Sequence, residues 1–435
     1  MSERLSPARA AAGYVLSRCR RFDAWSSQTL AAAREKYALS DKDAALCERL
    51  CLTVLQNAAL CDFYIGSFST VPVMKMEPRV LDALRLGTAQ ILFMDRIPVS
   101  ASVDQSVAMA KQCGRGAAGL VNAVLRRISE NKNALPAISD EGTAKELSIR
   151  FSHPLWFCER LVDELGYDAA RAFLAADNTP PGLTVSVNLL RTDVEQLVNN
   201  LNTAGMEASA NPLCMVSADI KNSSAPNTIP GFADGDFFVQ DAAAASSVLA
   251  AAPKRGSRVL DLCAAPGGKS LLCASLMGDE GQITSCDLHA KKLRLIEENA
   301  RRLGFSSITT RQMDASVPDK TFYGAFDLVI ADVPCSGFGV IRKKPEIRYK
   351  DPESIKNLPA VQGRILSGAA NCVRPGGRLL YSTCTVFREE NRDVIDAFMK
   401  QNDSFSILED RTIWPQDHGT DGFYYCLLTR NDDDR

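Results

Sequence analysis

The 435-residue chain has no C-x-x-C pair among its 14 cysteines and only three histidines, His153, His289 and His418. A tetrahedral zinc site draws on close thiolate and imidazole ligands, so no metal is expected. Irregularly scattered cysteines in so long a chain are not the framework of a small disulfide-stapled secreted domain. They suit a reducing compartment, and a cytoplasmic location is expected. The opening stretch, "MSERLSPARAAAGYVLSRCRRFD", holds no continuous apolar segment. With no long uncharged apolar run after it, neither a signal peptide nor a membrane span is expected. A surplus of one charge is missing too, since the formal net charge is −2. No global field then recruits a polyanion, and any nucleic-acid binding falls to local clusters such as "SRCRR" and "IRKKPEIRYK". The apolar content of 46% and charged content of 23% are those of a soluble globular protein. The length predicts two to three domains, and nothing in it demands more than a monomer.

What is present falls into three stretches. Residues 1–138 carry helical periodicity throughout. Ser40 with Asp43 predicts an N-cap, Pro78 a first-turn position, and Gly114 a helix stop. Residues 139–250 mix helices with the alternating strand "TVSVN", which predicts a small α+β module of RRM-like type. Residues 251–435 alternate short apolar strands ("RVLDLCA", "GQITSCDL", "FDLVIADVP", "GGRLLYSTC") with helices. That alternation predicts a Rossmann-like α/β domain with a parallel sheet, whose ligands sit off the carboxyl ends of the strands.

The glycine loop "LCAAPGGKS" follows the first of these strands. It is not a phosphate-binding G-x-x-x-x-G-K-S, because Cys263 stands where the first glycine belongs, nor does it contain G-x-G-x-x-G. Its small residues allow close approach to a helix N-terminus, with Lys269 beside a ligand carboxylate. Asp287, nineteen residues after Gly268, can accept from a ribose diol, and Asp314 from an exocyclic amine. With Asp332 they mark successive strand ends and suggest a nucleoside without a pyrophosphate, namely S-adenosylmethionine. Cys335 and Cys384 each close a strand on that same side. A thiolate adding to carbon 6 of a cytosine would make carbon 5 nucleophilic enough to take a methyl group. Asp332 is placed to meet ring nitrogen 3. One thiol would attack and the other assist release; residue types alone do not order them.

"DLCAAPGGKS", "DVPCSGFGVIRKKPEIRY" and "YSTCTVFREEN" together resemble the RNA cytosine-5 methyltransferases of the Nol1/Nop2/Sun family, and "GTDGFYYCLL" resembles its last strand pair. "LSDKDAALCERL", "PVSASVDQSVAMAK" and "AAGLVNAVLRRI" are similar to a NusB-type RNA-binding domain. The resemblance covers nearly the whole chain. It implies a NusB-like helical domain over 1–138, linker helices and an RNA-binding module over 139–250, and a methyltransferase domain over 251–435. It also implies methylation of one cytosine in 16S ribosomal RNA, free or in an early assembly intermediate. Carried onto this sequence, Cys384 is the nucleophile, Cys335 assists release and Asp332 contacts nitrogen 3. The cofactor loop comprises Cys263, Ala264, Ala265, Pro266, Gly267, Gly268 and Lys269, with Asp287, Asp314 and Asp332 as further cofactor contacts. Arg342, Lys343, Lys344 and Arg348 would hold phosphates beside the unstacked base.

Overall fold

The computed structural model describes residues 5–22, 26–221 and 225–432. They form two compact units, 1–179 with 343–350, and 180–342 with 351–435. The chain thus leaves the second unit after Arg342, contributes eight residues to the first, and returns at Asp351.

The first unit is helical: α1 (Pro7–Phe22), α2 (Ser26–Lys36), α3 (Asp41–Phe68), α4 (Pro78–Phe93), α5 (Val99–Ala110) and α6 (Arg115–Glu130), then α7 (Ala144–Phe151), α8 (Leu155–Leu165) and α9 (Tyr167–Asp177). The expected caps form. Ser40 Oγ accepts from the Asp43 backbone N–H at 3.2 Å, and Pro78 opens α4. Gly114, with φ +125°, separates the end of the α5 turn from α6. Helix α3 is long and apolar enough, by length and composition, to cross a membrane, although Gln56, Asn57 and Asp62 interrupt its apolar run. Its stripe of Cys47, Leu50, Cys51, Val54, Leu55, Cys61 and Ile65 is buried in the bundle core. Gly87 permits close packing of α4, because a Cβ there would lie 2.4 Å from Leu125 Cδ1 and 2.8 Å from Ser106 Oγ. In the "SRCRR" cluster Arg20 turns inward to the buried Asp82 at 2.6 Å; the side chain of Arg21 lies outside the described residues. Helices α7–α9, grouped above with the middle stretch, belong to this unit.

The second unit begins with β1 (Leu183–Val187), α10 (Val194–Thr203), β2 (Glu207–Ala210), β3 (Ser217–Lys221) and β4 (Phe237–Val239). These strands make an antiparallel sheet in the order β2-β3-β1-β4. Asn188, just after β1, ties this sheet to a later part of the same unit, donating through Nδ2 to the carbonyls of Gly235 and Leu303, each at 2.9 Å. Then come α11 (Ala242–Ala251), β5 (Arg258–Asp261), α12 (Gly268–Leu276), β6 (Gln282–Asp287), α13 (Ala290–Leu303), β7 (Ile308–Gln312) and β8 (Phe326–Asp332). The chain ends with α14 (Pro352–Ile355), α15 (Leu358–Cys372), β9 (Val373–Thr383), α16 (Arg392–Met399), β10 (Phe405–Ile413), α17 (Pro415–His418) and β11 (Phe423–Arg430).

The large sheet runs β10-β11-β9-β8-β5-β6-β7. It is mixed rather than wholly parallel: β5 to β9 pair in parallel, while β11 is antiparallel to both β9 and β10. The last two strands are joined by a short connection holding only the single turn of α17, which suits antiparallel neighbours and is too short for a parallel crossover. Alternate residues of the central strands feed two cores. Val259, Leu328, Ile330 and Leu380 face α11, α12 and α13. Leu260, Val329, Ala331, Leu379 and Tyr381 face α15 and α16. Burial on both faces is why these strands read as unbroken apolar runs.

Candidate active site

Strands β5, β6 and β8 end at Asp261, Asp287 and Asp332, so three carboxylates crowd the carboxyl edge of the sheet. The loop from Cys263 to Lys269 follows the first of them. Its Gly267, with φ +114°, takes a conformation that a side chain would strain, and a Cβ there would press on Ile296 at 3.3 Å. A Cβ on Gly268 would lie 3.3 Å from Gln240 Nε2. That amide nitrogen is buried and has no hydrogen-bond partner, while Gln240 Oε1 accepts from Ser186 Oγ of β1 at 2.8 Å. A fixed, unsatisfied donor therefore faces the start of α12, where backbone N–H groups already favour an anion.

Beneath the loop, Asp261 is fully buried and accepts from Ser270 Oγ at 2.7 Å, which in turn accepts from Ser285 Oγ at 2.7 Å. Burial lifts its carboxyl to about 7, only partly offset by Ser270 and the charge of Lys269. Burial likewise pushes the Cys263 thiol far up, so it behaves as an inert wall. Asp287 Oδ1 accepts from the His289 backbone N–H at 2.9 Å, and Asp314 Oδ1 from Ser316 N and Oγ at 2.8 and 2.6 Å. Those Ser316 bonds hold Asp314 below the usual carboxylate range.

Strands β8 and β9 are parallel neighbours with Asp332 opposite Ser382. That register decides the next contact: Cys335 lies three residues past one position, Cys384 two past the other, and their sulfurs meet at 3.2 Å. Both are free and partly exposed. The two loops are sewn together. Val333 N donates to Ser382 O at 3.1 Å, Gly339 N to Cys384 O at 2.9 Å, and Gly422 N to Gly339 O at 2.8 Å. Glu390, buried, accepts through Oε2 from Ser336 N at 2.8 Å and from Gln362 Nε2 at 2.9 Å, and Asn391 Nδ2 donates to Thr385 O at 3.0 Å.

Electrostatics separate the two thiols. Cys384 is held below the ordinary thiol value, first by the hydrogen bond from Cys335 and also by Lys269, against burial and the charges of Asp332 and Asp421. Cys335 is driven well above it by that same hydrogen bond, by burial, by the charge on Cys384 and by Glu390. Lys269 Nζ meets Asp332 Oδ2 at 2.7 Å, and Ser382 Oγ donates to Asp332 Oδ1 at 2.7 Å. The glycine loop and the first cysteine loop thus share one ion pair.

The basic residues divide. Arg342 is buried in the second unit, 4.0 Å from Asp421, with no hydrogen-bond partner for its Nε. Lys343 and Lys344 are exposed. Arg348 is not available to a phosphate: it is fully buried in the helical unit. There Nη1 donates to Gln56 O and Ser152 O at 2.9 and 3.0 Å, and Nη2 to Asn178 Oδ1 at 3.1 Å. A basic run in sequence does not reveal which of its members turns inward.

Residues 248–429 match the family model described as 16S rRNA methyltransferase RsmB/F. Residues 6–130 match NusB, and 153–223 the ferredoxin-like domain of RsmF/B-like methyltransferases. The probable ribosomal RNA small subunit methyltransferase B of Bacillus subtilis is 36% identical, over 94% of this chain and 95% of its own length. The chain belongs to the RsmB/F family of 16S rRNA methyltransferases. The ribosomal RNA small subunit methyltransferase B of Erwinia tasmaniensis is 32% identical over 93% of this chain and 94% of its own. A methyltransferase homolog protein from Pyrococcus horikoshii superposes with a TM-score of 0.60 at 25% identity, covering 67% of this chain and 99% of that one. Two groups at this RsmB/F site escaped the sequence reading: Gln240 and Asp261. Gln240 lies outside the glycine loop and gives no local signal. Asp261 ends its strand just as Asp287 does, so the strand-end rule could have found it.

Proposed function

We propose that this chain transfers a methyl group from S-adenosylmethionine to carbon 5 of a cytosine in 16S ribosomal RNA, through a covalent bond between Cys384 and carbon 6. The observation that carries this reading is the Cys335–Cys384 contact at 3.2 Å, electrostatically biased toward a Cys384 thiolate. S-adenosylmethionine, when bound, supplies an electrophilic methyl group. The residues present fit it: the unsatisfied Gln240 amide and the α12 N-terminus suit its carboxylate, Asp287 its ribose diol, and Asp314 its adenine amine.

Cys384 as thiolate adds to carbon 6 of the flipped base, and the ring electrons shift toward nitrogen 3. Asp332, its charge balanced by Lys269, stabilises the proton that nitrogen 3 takes up. Carbon 5 is then nucleophilic and accepts the methyl group. A water takes the carbon 5 proton, the freed electrons close the carbon 5–carbon 6 double bond and expel the Cys384 sulfur, and nitrogen 3 returns its proton to solvent. Cys335, hydrogen-bonding to that sulfur, makes it a better leaving group. The exposed Lys343 and Lys344 are suited to backbone phosphates.

Labelled methyl transfer to unmodified 16S rRNA, with denaturing gels, tests the assignment. Cys384→Ala should abolish turnover and leave no adduct, whereas Cys335→Ala should accumulate a denaturation-resistant protein–RNA species. Transfer at an ordinary rate by Cys384→Ala would refute the covalent route, and an adduct formed by that variant would reverse the two roles.

A further inference from the structure

The separation of 3.2 Å between the Cys335 and Cys384 sulfurs exceeds a disulfide bond by only about 1.1 Å. The bonds between their loops hold both cysteines in place, so small side-chain rotations are enough to join them. A further link, Ser336 Oγ to Thr385 Oγ1 at 2.8 Å, lies immediately beside the pair. Both residues are partly exposed, whereas ten of the fourteen cysteines are buried. Cys47 and Cys51 also touch, but they are buried on one helix inside the bundle, away from any dissolved oxidant. A nucleophilic thiol without a close partner oxidises onward to sulfinic acid irreversibly, while one with a neighbour is caught as a disulfide.

We propose that Cys335 and Cys384 are a redox modification site, closing to a reversible disulfide on contact with a hydroperoxide and halting methyl transfer until a thiol reductant reopens them. In the first step the Cys384 thiolate attacks one peroxide oxygen. The O–O bond breaks, hydroxide departs, and Cys384 becomes a sulfenic acid. Cys335 then attacks that sulfur; the S–S bond forms, the S–O bond breaks, and the departing hydroxide leaves as water with the Cys335 proton. Two thiols lose two electrons, and hydrogen peroxide is reduced to two waters. A dithiol reverses the change by exchange. The chemistry of closure stands without the catalytic reading; the loss of activity rests on it.

The test exposes the full-length protein to hydrogen peroxide, blocks remaining thiols with N-ethylmaleimide under denaturing conditions, and maps tryptic peptides by mass. The expected result is a loss of about 2 Da, with the peptides carrying Cys335 and Cys384 linked. Methyl transfer should fall in step and return with dithiothreitol. In Cys335→Ala the same treatment should leave Cys384 as a sulfinic acid that dithiothreitol does not reverse. Two separately alkylated thiols, or unlinked sulfinic acid in the wild type, would overturn the switch alone. A linked pair with undiminished methyl transfer would overturn it together with the catalytic reading.

Discussion

Replacing Gly339 by alanine tests whether the spacing of three loops positions the reactive sulfur. A Cβ at 339 would lie 1.9 Å from Gly422 O and 2.9 Å from Cys384 O. Carbon and oxygen approach no closer than roughly 3.3 Å, so the loops must part by about 1.4 Å. The hydrogen bonds from Gly339 N to Cys384 O and from Gly422 N to Gly339 O both break in that movement. At about 1 kcal/mol each, the expected destabilisation is about 2 kcal/mol, too little to unfold the protein. Displacing a reacting group by about 1 Å costs on the order of 100-fold in rate. Single-turnover methyl transfer on unmodified rRNA should therefore slow by about two orders of magnitude in Gly339→Ala, with a modestly lower melting temperature. Gly363, inside α15 with nothing near its Cβ position, is the control. Gly363→Ala should leave the rate alone and stabilise by about 0.5–1 kcal/mol, as alanine does over glycine in a helix. A Gly339→Ala enzyme within about threefold of wild type, a difference under 1 kcal/mol in the barrier, would refute the positioning argument.

Asp261 makes stability depend on pH. Its folded value of about 7 stands above the ordinary 3.8, so between those limits the folded state keeps a proton that the unfolded chain has lost. Stability is then fully present below about pH 4 and falls as pH rises toward 7, by about 4 kcal/mol in all for this group. Asp261→Asn should flatten that dependence when urea midpoints are compared at pH 5 and pH 8; an unchanged slope would refute it. Removing Arg348 takes the donor from three acceptors, Ser152 O buried and Gln56 O and Asn178 Oδ1 partly buried, so Arg348→Ala should destabilise the helical unit by about 3 kcal/mol. Arg348→Lys should not rescue it, because one ammonium cannot span the fork. An unaltered melt with a weaker salt dependence of RNA binding would return Arg348 to the phosphate-binding role.

Much of this arrangement is local, and local information sits in the sequence. Short strands of four to seven residues with apolar centres, each following a glycine turn, mark β5, β6 and β8, and in such sheets the ligand side follows from strand direction alone. Hence Asp287, Asp332 and the loop from Cys263 to Lys269 could be placed at one edge from the chain alone, and Ser40 and Pro78 at helix starts. Strand order, burial and charge balance are properties of the assembled sheet. Only the parallel pairing of β8 with β9, in the register Asp332 to Ser382, brings Cys335 to Cys384. Likewise only packing turns Arg348 inward while Lys343 and Lys344 stay exposed, although all three belong to one basic run. It also strands the Gln240 amide beside Gly268. Periodicity reports which way each side chain leans from its own strand or helix; what it meets there depends on elements far away in the chain, and that meeting sets desolvation, partner and reactivity.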